Sequence, residues 1–599
     1  MIFAIGRGFR NVLTGLTTMK SLSLLVVALC LGLPASLLAE LSLPHFFSDH
    51  MVLQRERAAA IWGKANPKAE VKIEFKGKTG SATADEKGVW RATIETGAAD
   101  AKGAALTVKA GGDSVTINDV LVGEVWLASG QSNMYYTMNR TPAYAELISK
   151  ADHPGLRMFN APLVTAVEPQ DDITGAWTLS SPQTAPDYSA VAFFFALKLH
   201  EELGVPVGVL KTCWGGKPVE TFTSREALNT LPATKAMVNK LMADAAVYDP
   251  AKAKAAYEVS LKKWQETMAA AKGKSAEERK RLPKKPAEPK PPLETEGKPG
   301  VLFNAMINPF AGYTMRGAIW YQGEGNARAG AVPYDETLPL MIRDWRKRWG
   351  DEFSFYFVQL ANFHAPSTAP GTPDPWALLQ DRMRHILVST PKTGMAIIND
   401  VGEANDIHPK DKKTPGERLA RWALAKDYGR DLIYSGPLFK SSQVKDGAVR
   451  VSCDQAGAGL KTRDGGPLKR FEIAGADRVW HWADAKVDGT DSVVVSSVEV
   501  KQPVAVRYAW AANPEGANLV NSEGLPASVF RTDDWNDVEA APAPTQASKE
   551  ADDRRALASE IKTLNAKLQG MDRKSTEALE LRKKVQELLT QFKATALKK

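Results

Sequence analysis

The chain has 599 residues, 44% of them hydrophobic, with 15 tryptophans, which suits several packed cores and argues against a disordered or fibrous protein. Its formal charge of +8 sits mainly in one internal segment and in the C-terminal tail. The aromatic–basic interleaving of a nucleic-acid groove is missing, so the charge reads as solvated surface and no nucleic-acid partner is expected. The three cysteines, Cys30, Cys213 and Cys453, support neither a disulfide framework nor a zinc site.

Residues 1–40 read as a signal peptide. Arg7, Arg10 and Lys20 precede the apolar run SLSLLVVALCLGLPASLLA, and Pro34, Ala35, Ser36 and Ala39 mark a cleavage region between about Ser36 and Leu41. The competing reading is a membrane anchor, which wants about 20 apolar residues. Cleavage predicts export to the periplasm or the extracellular space, with no stable membrane insertion afterwards.

Residues 41–119 read as an N-terminal β-sandwich. Val71, Ile73 and Phe75 alternate with Lys72 and Glu74, and Trp90, Ala92 and Ile94 repeat the period of two. From residue 120 to 431 strands alternate with helices: EVWLAS, the helix SAVAFFFALKLHEELG with Gly204 as its stop, VPVGVLKT, GAIWYQ, the helix YDETLPLMIRDWRKRW, FSFYFVQL, WALLQDRMRHIL, GMAIIND and GERLARWALAKDYG. That rhythm predicts an α/β fold with a parallel sheet covered on both faces. A charged helical and Pro-rich insertion at 249–298 interrupts it as an exposed excursion. Residues 432–535 return to strands as a C-terminal β-rich module. Residues 536–599 read as a linker and a helical tail. Its Leu557, Ile561, Leu564 and Leu568, then Leu581, Val585, Leu588 and Phe592, step by four and three, as in a helical hairpin or short coiled coil suited to self-association.

The chemistry gathers at strand ends. VGEVWLASGQSNM puts Ser132 just past a strand's carboxyl end, where open parallel sheets hold their ligands. Its hydroxyl fits a nucleophile, with backbone N–H groups facing an oxyanion; it equally fits an N-cap serine starting a helix. Met134 stands where the second glycine of a G-x-S-x-G elbow belongs. VGEANDIHPKDK follows the strand GMAIIND and offers His408 as base and Asp406 to orient it, with His364 after FVQLANF as a rival base. Asp406, His408 and Asp411 also admit a metal reading, but no complementary ligand cluster accompanies them. CWGGKP presents Gly215 and Gly216 for close backbone approach, and YQGEGNA presents the amides of Gln322 and Asn326 as oxyanion donors; a tight turn is the plain alternative for each.

LSLPHFFSDHMVLQRE, DVLVGEVWLASGQSNM, VPVGVLKTCWGGKPVE, IWYQGEGNA and DIHPKDK together resemble the sialate O-acetylesterase family of the SGNH (GDSL-like) hydrolases. The resemblance covers residues 41–535 apart from the insertion. It implies a flavodoxin-like core and removal of O-acetyl groups from an acetylated sugar or polysaccharide, with no metal or other cofactor. By motif it implies Ser132 as nucleophile, His408 as base and Asp406 as its partner, with Gln131, Gly215, Gly216, Gln322, Glu324 and Asn326 in the oxyanion and substrate region. Gly325 departs from the serine common in that motif, and D-x-H replaces the D-x-x-H of many relatives, which leaves Asp400, Glu403 or no acid as alternatives. Two other functions stay open: an acetylesterase acting on plant or algal polysaccharide such as xylan, and a non-catalytic carbohydrate-binding protein.

Overall fold

A computed structural model describes residues 40–271, 273, 275, 282–536, 561, 564, 568 and 575–594. The expected leader at 1–40 (all but its last residue) and most of the linker after residue 535 lie outside the described residues. Among those described, no helix is long and apolar enough to cross a membrane.

The chain is mixed α/β, and its longest strand, β1 (Asp113–Gly130), organises it. The first half of β1 pairs antiparallel with Asp100–Ala110, and Leu121–Gly123 pairs parallel with Val52–Gln54. Past residue 124 every side chain of the strand is buried on both faces, as a central parallel strand requires. It is followed by β2 (His153–Asn160), β3 (Trp177–Ser180), α1 (Ala190–Leu203), β4 (Val207–Cys213), β5 (Gly317–Tyr321), α2 (Tyr334–Trp349), β6 (Ser354–Gln359), α3 (Pro375–Ser389), β7 (Thr393–Ile397) and α4 (Lys413–Lys426). The sheet order is β7-β6-β5-β1-β4-β2-β3, parallel except at the edge strand β3. The chain leaves β1 on one side through β2 and β4 and returns on the other through β5, so the topological switch lies at β1.

α1 and α4 cover one face and α2 and α3 the other. The Ser189 hydroxyl accepts from the N–H of Ala192 to start α1, and Gly204 ends it in the left-handed region at φ 66°. Gly416 lets α4 close on α1: a Cβ there would lie 2.7 Å from the carbonyl oxygen of Val191. In α2 the predicted face holds, with Leu338, Ile342 and Trp345 buried and Trp349 packed beside them.

N-terminal to this core, Val71, Ile73 and Phe75 are buried while Lys72 and Glu74 face solvent. The strand Ala58–Lys64 pairs with Val89–Glu95 as a separate two-stranded layer. The C-terminal strands form two four-stranded sheets around a second apolar cluster that includes Val451, Ile473, Val493 and Val506. The helix Pro250–Ala270 of the charged excursion buries none of its residues. In the tail, Leu564, Val585 and Leu588 bury against one another together with Ile561, Leu568 and Leu581, so the two predicted apolar runs face each other within one chain.

Glu124 ties the N-terminal strands to the sheet. Its fully buried carboxylate accepts from Arg55 Nε at 2.5 Å, Gln54 Nε2 at 2.9 Å and Arg316 Nε at 3.0 Å. Burial alone would raise this carboxyl; the hydrogen bonds and the Arg316 charge overcome it and hold the pKa below the ordinary value. Replacing Glu124 by Leu leaves two largely buried guanidinium groups uncompensated. The variant is expected to lose about 3–5 kcal/mol of unfolding free energy, measured by urea titration.

Candidate active site

The turn after β1 is shaped by a close approach. Gly130 has φ +135°, and a Cβ on it would lie 2.2 Å from the carbonyl oxygen of Tyr321, which in turn accepts from the N–H of Gln131 at 2.9 Å. The chain then enters a single helical turn, Ser132–Tyr135. Gln131 occupies the cap position with no side-chain capping bond, and Ser132 is the first helical residue. The hydroxyl is therefore not a cap, and it points elsewhere: Ser132 Oγ lies 2.8 Å from His408 Nε2. Both residues are partly exposed, so a solute can reach them.

His408 arrives on the loop that follows β7. Asp406 curls this loop by accepting from the N–H of His408 at 2.9 Å, an Asx turn that also brings Oδ1 to 3.5 Å from Nδ1. That separation is an ion-pair distance, longer than a normal hydrogen bond. The competing acids are engaged elsewhere. Asp400 accepts from both ends of the Arg418 guanidinium, at 2.6 and 2.9 Å, and from Arg463 at 3.1 Å. Glu403 accepts from the N–H and the ammonium of Lys410, each at 2.8 Å. Burial first, then the Lys412 charge, pushes the imidazole below the ordinary 6.5; Asp406 opposes them and Arg140 adds to them. His408 is thus neutral near pH 7, with Nε2 free to accept a proton.

The other strand ends converge here unequally. Gly215, after β4, packs on the serine, and a Cβ there would meet Ser132 Cβ at 3.3 Å. Gly216 takes φ +69°, which re-aims the loop. Gln322 and Asn326 brace the site from below. Gln322 Nε2 donates to Asn326 Oδ1 at 2.8 Å and to Gln131 Oε1 and the Lys217 carbonyl at 3.3 Å each; Asn326 Nδ2 donates to the Glu220 carboxylate. The expectation that these amides serve an oxyanion meets amide nitrogens already committed inside the protein. Gln131 Oε1 also accepts from the N–H of Gly325 at 3.2 Å, a contact with no room for a larger residue than glycine without adjustment.

His364 sits apart from the serine. Its ring packs on Phe363 at 3.9 Å between centroids, and it lines a cleft of about 640 Å³ with Trp376, Trp510 and Asn513 whose walls do not include Ser132. Asp411 accepts from the N–H and hydroxyl of Thr414 at the start of α4. Among the described residues no group of three or more His, Cys, Asp or Glu is placed to hold a metal ion. Cys213, at the end of β4, is buried, and burial pushes its thiol up to about 11, unsuited to nucleophilic work.

One residue was not singled out from sequence. Lys412 is fully buried and donates to Asn133 Oδ1 at 2.6 Å, while Asn133 Nδ2 donates to Glu324 Oε1 at 2.5 Å and to the Ile407 carbonyl at 3.0 Å. Lys410 and Lys413 on either side of it are exposed, and nothing in the local pattern separates the three.

No family model matches the chain. It is 29% identical to the sialate O-acetylesterase of Mus musculus over 533 residues, 81% of this chain and 93% of that protein. It is 26% identical to the Homo sapiens protein of the same name over 511 residues, 78% of this chain and 87% of that one. The crystal structure of a novel carbohydrate acetylesterase from Xanthomonas citri is similar at a TM-score of 0.69 and 34% identity, covering 83% of this chain and 100% of that chain. The present chain therefore belongs with the carbohydrate acetylesterases, is similar over most of its length to proteins named sialate O-acetylesterase, and is a carboxylic ester hydrolase.

Proposed function

We propose that this protein is an exported carbohydrate O-acetylesterase that removes acetyl groups from sugar hydroxyls through a serine acyl-enzyme. The observation that carries the reading is the 2.8 Å contact between Ser132 Oγ and His408 Nε2 at the switch point of a parallel sheet. The strand order and the four polar turns at the ends of β1, β4, β5 and β7 support an SGNH-type core.

In this mechanism Ser132 Oγ attacks the acetyl carbonyl carbon while Nε2 of His408 takes the hydroxyl proton. The C–O bond to the sugar breaks, and the sugar oxygen leaves with that proton. Water, deprotonated by the same nitrogen, then attacks the acetyl-serine ester and releases acetate. The N–H of Ser132 opens a helical turn and so has no intrahelical acceptor. With the N–H of Gly215 beside it, it is the donor pair we assign to the oxyanion. Gln322 and Asn326 act by holding Gln131 and the 217–220 loop. Asp406 is the residue we assign to orient His408.

Two substrate readings follow from the relatives' names: an acetylated sialoside, as for the Mus musculus protein, or another acetylated polysaccharide such as xylan, which the broader name of the Xanthomonas citri enzyme admits. Acetate release from acetylated sialosides, xylans and pectins separates the two. In the same assays, and with p-nitrophenyl acetate, Ser132→Ala is expected to lose at least about a thousandfold in turnover with an almost unchanged thermal melt. Near-wild-type turnover in that variant would sink the serine assignment.

The pH profile tests the rest. Turnover needs neutral His408, so the rate falls as pH drops through the imidazole pKa, and that acidic limb is expected below the ordinary 6.5. Asp406 raises the imidazole, so Asp406→Asn should move the limb further down while lowering turnover by between about tenfold and ten-thousandfold. Parallel Asp400→Asn and Glu403→Gln variants should leave the limb in place. An unmoved limb and retained activity in Asp406→Asn would reduce Asp406 to a turn residue.

A further inference from the structure

Asn133 is where the serine turn and the histidine loop are joined, and its orientation is decided by chemistry. A primary amide offers one acceptor oxygen and two N–H donors. The Ile407 carbonyl can only accept, and Glu324 Oε1 receives the other amide hydrogen. The atom facing Lys412 must then be the oxygen, and Lys412 Nζ donates to it at 2.6 Å. Remove the lysine and a buried amide oxygen is orphaned. The amide then loses one of the three contacts that hold it in the orientation that reaches Ile407, the residue before the base.

Lys412 is itself firmly seated. Its ammonium lies 4.7 Å from the Tyr136 ring centroid and 5.8 Å from that of Tyr321, the last residue of β5. Although part of Glu324 reaches solvent, its Oε2 is shielded and has no partner among the described residues. The Asn133 amide is thus the side-chain donor to this carboxyl, and burial raises its pKa.

We infer that Lys412, acting through Asn133, is a positioning residue for the Ser132–His408 pair, locking the serine turn to the histidine loop and setting a positive charge against the imidazole where the imidazole titrates. The inference rests on the serine–histidine reading above. The charges that face His408 are Lys412, Asp406 and Arg140; those that face Lys412 are Glu324, Asp406, Asp411 and Glu403. Burial pushes the Lys412 ammonium down to about 7, with Glu324 foremost in opposing it. Lys412 is therefore charged across the acidic limb, where His408 titrates, and can still donate to Asn133 as a neutral amine above it.

The test is Lys412→Met, which keeps an unbranched stem between the two tyrosine rings and removes the donor and the charge. Loss of positioning is expected to lower kcat by about ten- to a hundredfold with KM within about twofold. Loss of the charge should move the acidic limb of kcat/KM to higher pH by about half a unit or more, opposite to Asp406→Asn. Should Lys412→Met fail to fold, Lys412→Met combined with Glu324→Gln removes both charges from the site and should give the same upward limb. An unmoved limb or wild-type kcat in the variant that folds would overturn the inference. Ser132→Ala serves as the control: if it is dead while the lysine variant behaves as wild type, only this inference fails, and if Ser132→Ala is active, the serine–histidine reading fails first.

Discussion

The close passage of Gly130 over the Tyr321 carbonyl is the constraint on which the site depends. Any side chain at residue 130 would begin 2.2 Å from that oxygen, so glycine alone lets β1 end against β5 and turn immediately. The Gln131 N–H then takes the same carbonyl, and Ser132 follows as the first residue of a helical turn. Backbone contacts thus set where the serine turn begins, and the Asn133 side chain ties that turn to the histidine loop, while the serine stays partly open to solvent.

The electrostatics around that hydroxyl are arranged in two layers. Above, Asp406 is ionised, held down first by the His408 N–H, and pulls the imidazole toward protonation. Below, Lys412 pushes the other way from a dry setting where its charge is weakly screened. Burial decides the balance in favour of the neutral ring. The acids that do not touch His408 serve the scaffold: Asp400 clamps Arg418 of α4, and Glu403 fastens Lys410.

Much of this was legible in the sequence because it lives in local patterns. The alternation of apolar strands and helices announced the parallel sheet, and Gly204 marked the end of α1 at its observed residue. Asp406 and His408 stand two residues apart on one loop, and the Asx turn brings their side chains together. What stayed hidden depends on partners far away in the chain. Gln322 and Asn326 looked like free amides until Gln131, Lys217 and Glu220 were seen to hold them, and Lys412 differs from its lysine neighbours only by lying over Asn133, 279 positions away. The period of the tail's leucines spoke of a seam without saying which helix fills it; the second run of the same chain does. Likewise, the strand pattern changes character near residue 120, yet β1 runs unbroken through that point because its two halves pair with different neighbours.

That shared strand also governs the order in which the fold can be completed. During synthesis the N-terminal strands and the first half of β1 emerge with their partners close behind them. The β5 edge of β1 must wait for residues 317–321, and β6 and β7 come later still. Closing a loop of that length adds little free energy for each doubling but delays pairing, so the chain carries an open, largely apolar strand edge through much of its assembly. Such an edge is a template for wrong pairing. The buried strand that delivers the serine is therefore also vulnerable before the second half of the sheet arrives.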